Sequence, residues 1–318
     1  MSLLRWAAFG AVIFGLLRVP APAHAGLERG VHLPWGSGPD QVGRTVPDEA
    51  APEGPMSLDL DGKGRVFLLD QVNARILVLD GERVADTWPL HADSYQDLAW
   101  IDDQHVALLD RLAARVVDVV DHQGRILATV PVEGGPVQEG GAVTALEVED
   151  DGIWLELEHA QQVRVADRQG RAEKVRTLRG GRLSADRRVR LSAVRDGAHG
   201  VTLWSQVATR SDAPTRHLAT LGFADSLLQI TALESDARGQ VFVGAQTFRE
   251  GPRPPFELLA VDEWLVVVDP DGVARTRVAL PARRGAEEQF RPLRVAPDGR
   301  VVFVHCDDSG VTLWEVTP

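Results

Sequence analysis

Residues 65–79, Arg-Val-Phe-Leu-Leu-Asp-Gln-Val-Asn-Ala-Arg-Ile-Leu-Val-Leu, return 40 positions later as His105-Val-Ala-Leu-Leu-Asp-Arg-Leu-Ala-Ala-Arg-Val-Val-Asp-Val119, with six of the fifteen positions identical. Four of the other nine positions exchange one branched aliphatic residue for another. Two apolar runs joined by a short polar turn make a β-hairpin. Recurrence at a period of about 40 residues means one supersecondary unit used repeatedly, each copy burying an apolar face against the next. The chain is thereby confined to an all-β repeat architecture, and that scaffold alone does not name a ligand or a reaction.

The first 25 residues stand apart from the repeats. Arg5 precedes an apolar run from Trp6 to Leu17, and Ala23-His24-Ala25 fits the small-x-small rule for signal-peptide cleavage. The run has 12 residues, short of the roughly 20 that span a bilayer as a helix. The expectation is a signal peptide over 1–25, cleaved after Ala25, and a secreted or periplasmic protein with no stable membrane anchor.

A chain starting at Gly26 carries a formal net charge of −14, because the removed segment takes Arg5 and Arg18 from a total of −12. An acidic surface with no basic run excludes a nucleic-acid backbone as partner. Cys306 is the sole cysteine, so no internal disulfide can form and stability has to come from the apolar core. Within Val301-Val-Phe-Val-His-Cys306 it reads as a small buried apolar residue.

Degraded copies of the unit continue to the C-terminus. Asp121-His-Gln-Gly-Arg125 and Asp167-Arg-Gln-Gly-Arg171 match as hairpin turns, and alternating strands recur around Trp154, Trp204, Trp264 and Trp314. Blades are expected over about 51–90, 94–132, 140–178, 182–222, 227–281 and 286–318, in a single domain over 26–318. The proline-rich stretch Thr247–Phe256 reads as a loop inside the fifth. The last unit is one strand short. Residues 30–35, Gly-Val-His-Leu-Pro-Trp, supply the missing strand if the repeats close into a ring, which also removes two exposed sheet edges. Trp88, Trp100, Trp154, Trp204, Trp264 and Trp314 fall in successive units and are expected to fill the space between blades.

Asp70-Gln-Val-Asn73-Ala-Arg75, preceded by Asp61-Gly-Lys-Gly-Arg and Pro52-Glu-Gly-Pro55, resembles the NHL repeat, in which an Asp-x-x-Asn-x-Arg turn joins the second and third strands of a blade. The resemblance covers about residues 52–132 and implies a six-bladed β-propeller. The second unit keeps Asp110 and Arg115 with Ala113 in place of Asn, and the third has Glu156 and Gln161. These repeated polar residues are read as structural: the aspartate accepts backbone N–H groups of its turn, and the arginine five residues on reaches the same carboxylate.

Several six-bladed propellers are metal-dependent lactonases or lyases, which makes calcium the candidate ion. Asp59, Asp61 and Asp70 with Gly64 imitate part of a calcium loop and are the candidate ligands. Lys63 stands where an oxygen ligand belongs, and a strand follows where a helix should, so no cofactor is expected. No histidine pair has zinc spacing, and no Gly-x-Ser-x-Gly elbow or phosphate-binding glycine loop occurs. The expectation is a non-catalytic scaffold that binds a protein, peptide or glycan on one face. The alternative is a metal-dependent hydrolase or lyase with a site in the central channel.

Overall fold

The computed structural model describes residues 26–49, 51–210, 212–281 and 288–317, so the expected signal peptide and its cleavage after Ala25 lie outside the described residues. The described residues form six four-stranded antiparallel sheets. Five are contiguous, over residues 58–89, 97–131, 143–180, 182–222 and 226–280. The sixth joins residues 293–317 to the N-terminal strand Gly26–Pro34, whose Leu27 and Leu33 pair with Val316 and Val311. The protein is a six-bladed β-propeller closed across its termini. Its closing strand begins four residues earlier than the apolar stretch alone suggests, because the antiparallel ladder continues through Gly26.

Apolar residues alternate along the strands, so each blade offers one apolar face to either neighbour. The core therefore lies between blades. Phe67, Leu69 and Ile76 of blade 1 meet Leu98, Val106 and Leu108 of blade 2. Across the closure, Val302, Val304 and Val311 of blade 6 meet Leu58, Leu68 and Leu77 of blade 1. Cys306 is buried in that second cluster. Of the tryptophans, Trp88 and Trp154 are buried, Trp88 edge-on to Phe67 at 5.3 Å, while Trp100, Trp264 and Trp314 border the inter-blade clusters half-buried.

Turns on one side of the disc share an aspartate clamp. Asp61 Oδ1 accepts the N–H groups of Lys63 and Arg65, and Arg65 Nε donates to Asp61 Oδ2 at 2.7 Å. Asp121 with Arg125 and Asp167 with Arg171 repeat this arrangement. The glycine before the arginine sits at positive φ, 84° at Gly64 and 79° at Gly124, where a side chain would be strained.

The stretch 247–256 is only partly a loop. The second strand of blade 5 runs Val241–Glu250 and the third starts at Leu258, with Thr247 paired to Asp262 and Phe248 to Val261. Residues 247–250 have alternating partners and stay in the ladder; the prolines that cannot donate to it begin at Pro252.

Candidate functional site

In each blade the innermost strand carries a charged residue that the ring brings to the axis, flanked on both sides by apolar residues in blades 1, 3 and 6. The charged residues are Asp59, Asp97, Glu147, Arg182, Glu234 and Arg294, from blades 1 to 6 in order. Arg291, in the connection entering blade 6, reaches in among them.

The contacts are dense. Arg294 Nε donates to Asp59 at 2.8 Å, and its Nη1 reaches Glu234 at 2.7 Å and Glu147 at 3.1 Å. Arg182 Nη2 lies 2.9 Å from both Glu147 and Glu234. Arg291 binds Glu147 at 2.7 Å and Asp97 at 3.0 Å, and donates to the carbonyl oxygens of Leu98 and Leu146. The same carboxylates staple neighbouring blades: Asp59 accepts Trp100 N–H and Asp97 accepts Leu146 N–H. Arginine–carboxylate pairs thus fill the axis.

Burial opposes the charge on Glu147, yet Arg182, Arg294 and Arg291 win and hold its carboxyl at about 2. Asp97 behaves oppositely: burial outweighs Arg291 and pushes it up to about 6. Burial also works against the charge of Arg294, and Asp59, Glu147 and Glu234 more than offset it.

This arrangement does not fit an axial metal ion. A divalent cation needs several carboxylate oxygens turned toward one point, and here a guanidinium occupies that point. Among the described residues, no group of three or more His, Cys, Asp or Glu side chains could hold a metal.

The calcium-loop candidates are separated. Asp59 is on the axis under Arg294, Asp61 has both oxygens engaged in its turn, and Asp70 lies at the far end of the second strand. There Asp70 accepts the N–H of Gly43 and side-chain donors from Asn73 at 2.9 Å and Arg75 at 2.7 Å. So the arginine reaches the carboxylate as expected, but the backbone donor comes from a distant loop. In blade 2 the backbone expectation holds and the arginine one fails. Asp110 accepts from Leu112 and Ala113 N–H, while Arg115, at φ 57°, turns away to Glu133. Without an asparagine at position 113, the turn's own N–H groups and the Ser94 hydroxyl take up that carboxylate.

Each end of the axis opens into a recess. On the side of the aspartate clamps a cavity of 340 Å³ has Glu147, Arg182, Glu234 and Arg294 in its wall. On the other side, where second strands turn into third strands, a cavity of 510 Å³ is lined by Arg111, Thr144, His159, Gln229, Thr231 and Phe290 among others. Beneath it Glu156 is buried, accepting from Thr144 Oγ1 and lying 2.7 Å from His159 Nδ1. His159 Nε2 faces the Ile230 carbonyl at 3.1 Å, so both ring nitrogens are engaged by the protein and neither is free to act on a ligand as a base.

Of the axial residues the sequence points only to Asp59, as a calcium-loop candidate and not as part of an axis, and it does not point to the recess. The signal was present as apolar-charged-apolar triplets opening the repeats, as in Leu58-Asp59-Leu60, Leu146-Glu147-Val148 and Leu293-Arg294-Val295. It became legible only once those strands were known to be innermost.

A closed ring of six four-stranded blades with a charged axis defines the protein class as a six-bladed β-propeller. No family model matches the sequence, and no curated protein matches it. Among solved structures, a member of the DUF4221 family from Bacteroides vulgatus is similar at 11% identity, covering 92% of this chain and 97% of that one with a TM-score of 0.55. Streptogramin B lyase is similar at 10% identity, 92% and 98% coverage and a TM-score of 0.48. A calcium-binding regucalcin from Agrobacterium tumefaciens follows at 14%, 90%, 96% and 0.45. At such identities the likeness establishes the fold alone.

Proposed function

We propose that this chain is a diverged NHL-type propeller, exported by a cleaved signal peptide, that acts as a non-catalytic scaffold binding a protein, peptide or glycan. The observation that carries this reading is the axis itself. The place where a propeller metal enzyme needs converging oxygen ligands is taken up by Arg182, Arg291 and Arg294, each bonded to buried carboxylates. The hydrogen-bonded Asp70–Asn73–Arg75 turn supports the NHL relationship. Binding falls to the open recess around Arg111, which has volume and mixed polar and apolar walls suited to a ligand.

The alternative, a metal-dependent hydrolase or lyase, requires Arg294 to leave the axis. The test is metal content of purified Gly26–Pro318 together with its melting temperature before and after chelation. Substoichiometric metal and an unchanged melting temperature are expected. One bound divalent ion per chain, with a large drop on chelation, would favour the enzyme.

A further inference from the structure

Among the described residues Arg111 makes no ion pair, although the Glu288 carboxyl belongs to the lining of the same recess. Its Nη1 donates to the carbonyl oxygens of Gly141 at 3.0 Å and Val143 at 3.3 Å, and its guanidinium lies 4.6 Å over the Phe290 ring. These contacts hold the side chain in place, and none of them is to a carboxylate. Nε is buried without an acceptor, and Glu288, the acidic residue in the lining, acts on the guanidinium from beyond ion-pair distance. The axial arginines differ in this respect, since Arg182, Arg291 and Arg294 each sit on two or more carboxylates. Burial lowers the pKa of Arg111, with Glu288 and Asp97 acting in the other direction from beyond contact range.

The opposite wall supplies acceptors. Thr231 donates its hydroxyl to Glu263 and Gln229 donates its amide to Gln246, so each keeps oxygen lone pairs for other donors. The two residues are i and i+2 on the innermost strand of blade 5, and both line the recess with Arg111. Thr144 likewise donates to Glu156. The recess therefore offers an anion the Arg111 guanidinium, which Glu288 offsets only from a distance, and offers hydroxyl or amine hydrogens the oxygens of the opposite wall.

We infer that the recess binds a hydroxylated carboxylate of the acidic-sugar class, its carboxylate on Arg111 and its hydroxyls on Thr231 and Gln229. Guanidinium and carboxylate match in geometry as well as charge, and a cavity of this size accommodates a sugar acid. This inference rests on the binding-scaffold reading and names its ligand class.

The experiment is a calorimetric titration with glucuronate, glucose and acetate. Glucuronate, which has both recognised features, is expected to bind with a dissociation constant of about 1 mM or below. Acetate should bind more weakly and glucose not measurably. Arg111→Gln is expected to weaken glucuronate about 10- to 100-fold, the range for a hydrogen bond to a charged group. Arg277→Gln, which removes an arginine stacked on Phe223 far from the recess, should leave binding intact. If Arg111→Gln fails to fold, the three-ligand series on the unaltered protein still decides: glucose binding as well as glucuronate, or no glucuronate binding, overturns the inference. Each titration is run before and after chelation. Binding unaffected by chelation supports the assignment. Binding lost on chelation places the carboxylate on a metal and overturns both this inference and the scaffold reading. Absence of glucuronate binding in both conditions overturns only the ligand class.

Discussion

Arg294→Met is expected to lower the unfolding free energy by about 3–5 kcal/mol, the cost typical of leaving buried charges without their partner. Methionine matches the volume of the aliphatic stem, so the loss isolates the guanidinium. Asp59, Glu147 and Glu234 are each within 3.1 Å of Arg294. Arg182 still reaches Glu147 and Glu234, but Asp59 would retain only the N–H of Trp100. Carboxylates deprived of a cation in a dry site take up protons more readily, so the deficit should shrink on acidification. Denaturant unfolding at two pH values measures both effects. Arg210→Ala, which removes an exposed pair to Asp212, should change stability little. A deficit for Arg294→Met no larger than that of Arg210→Ala would mean that the axis is wet and loosely held.

Asp97 gives the second large effect, through pH. Its folded-state pKa of about 6 is raised from the ordinary 3.8, so near pH 5 the folded chain holds a proton that the unfolded chain has released. Stability from this group therefore rises as pH falls through 6, and the gain levels off below the unfolded pKa. Glu147 has the opposite sign, because its lowered pKa gives stability present above the unfolded value of 4.5 and lost as pH falls below it. Between pH 7 and pH 5 Glu147 contributes little, but Glu149 and Glu234, which burial also raises, and the histidines act in the same window, so a variant is needed to isolate Asp97. Relative to Asp97→Asn, which cannot titrate, the unaltered protein should gain about 1 kcal/mol over that interval. The variant pays a constant penalty, since an amide cannot match both Leu146 N–H and Arg291 as acceptors. A difference independent of pH would show that Asp97 stays ionised.

The fold was legible in sequence because its determinants are local and repeated. Alternation between residues 65 and 79, its return at 105–119, and the missing last strand were enough to foresee six blades and closure by the N-terminus. Residues 247–250 differ from the loop expected there because the prolines interrupt the ladder only from Pro252 onward, and these four residues stay paired. The turn motif was half legible. Asp70 and Arg75 pair as their spacing suggests, but the donor from Gly43 and the departure of Arg115 to Glu133 depend on loops far away in sequence. The axis was not legible at all as a site. Asp59 meets Arg294 across 235 positions, and Glu147 meets Arg291 across 144, so no spacing rule could join them. Arg111 is similar: that it makes no ion pair among the described residues is a property of the assembled recess.

The most direct test of a sealed, metal-free axis is anomalous diffraction from crystals soaked in manganese, a divalent cation that carboxylates bind well. No anomalous peak is expected between Asp59, Glu147 and Glu234, with the Arg294 guanidinium in ordered density among them. A manganese peak coordinated by those carboxylates, with Arg294 displaced from the axis, would contradict the account.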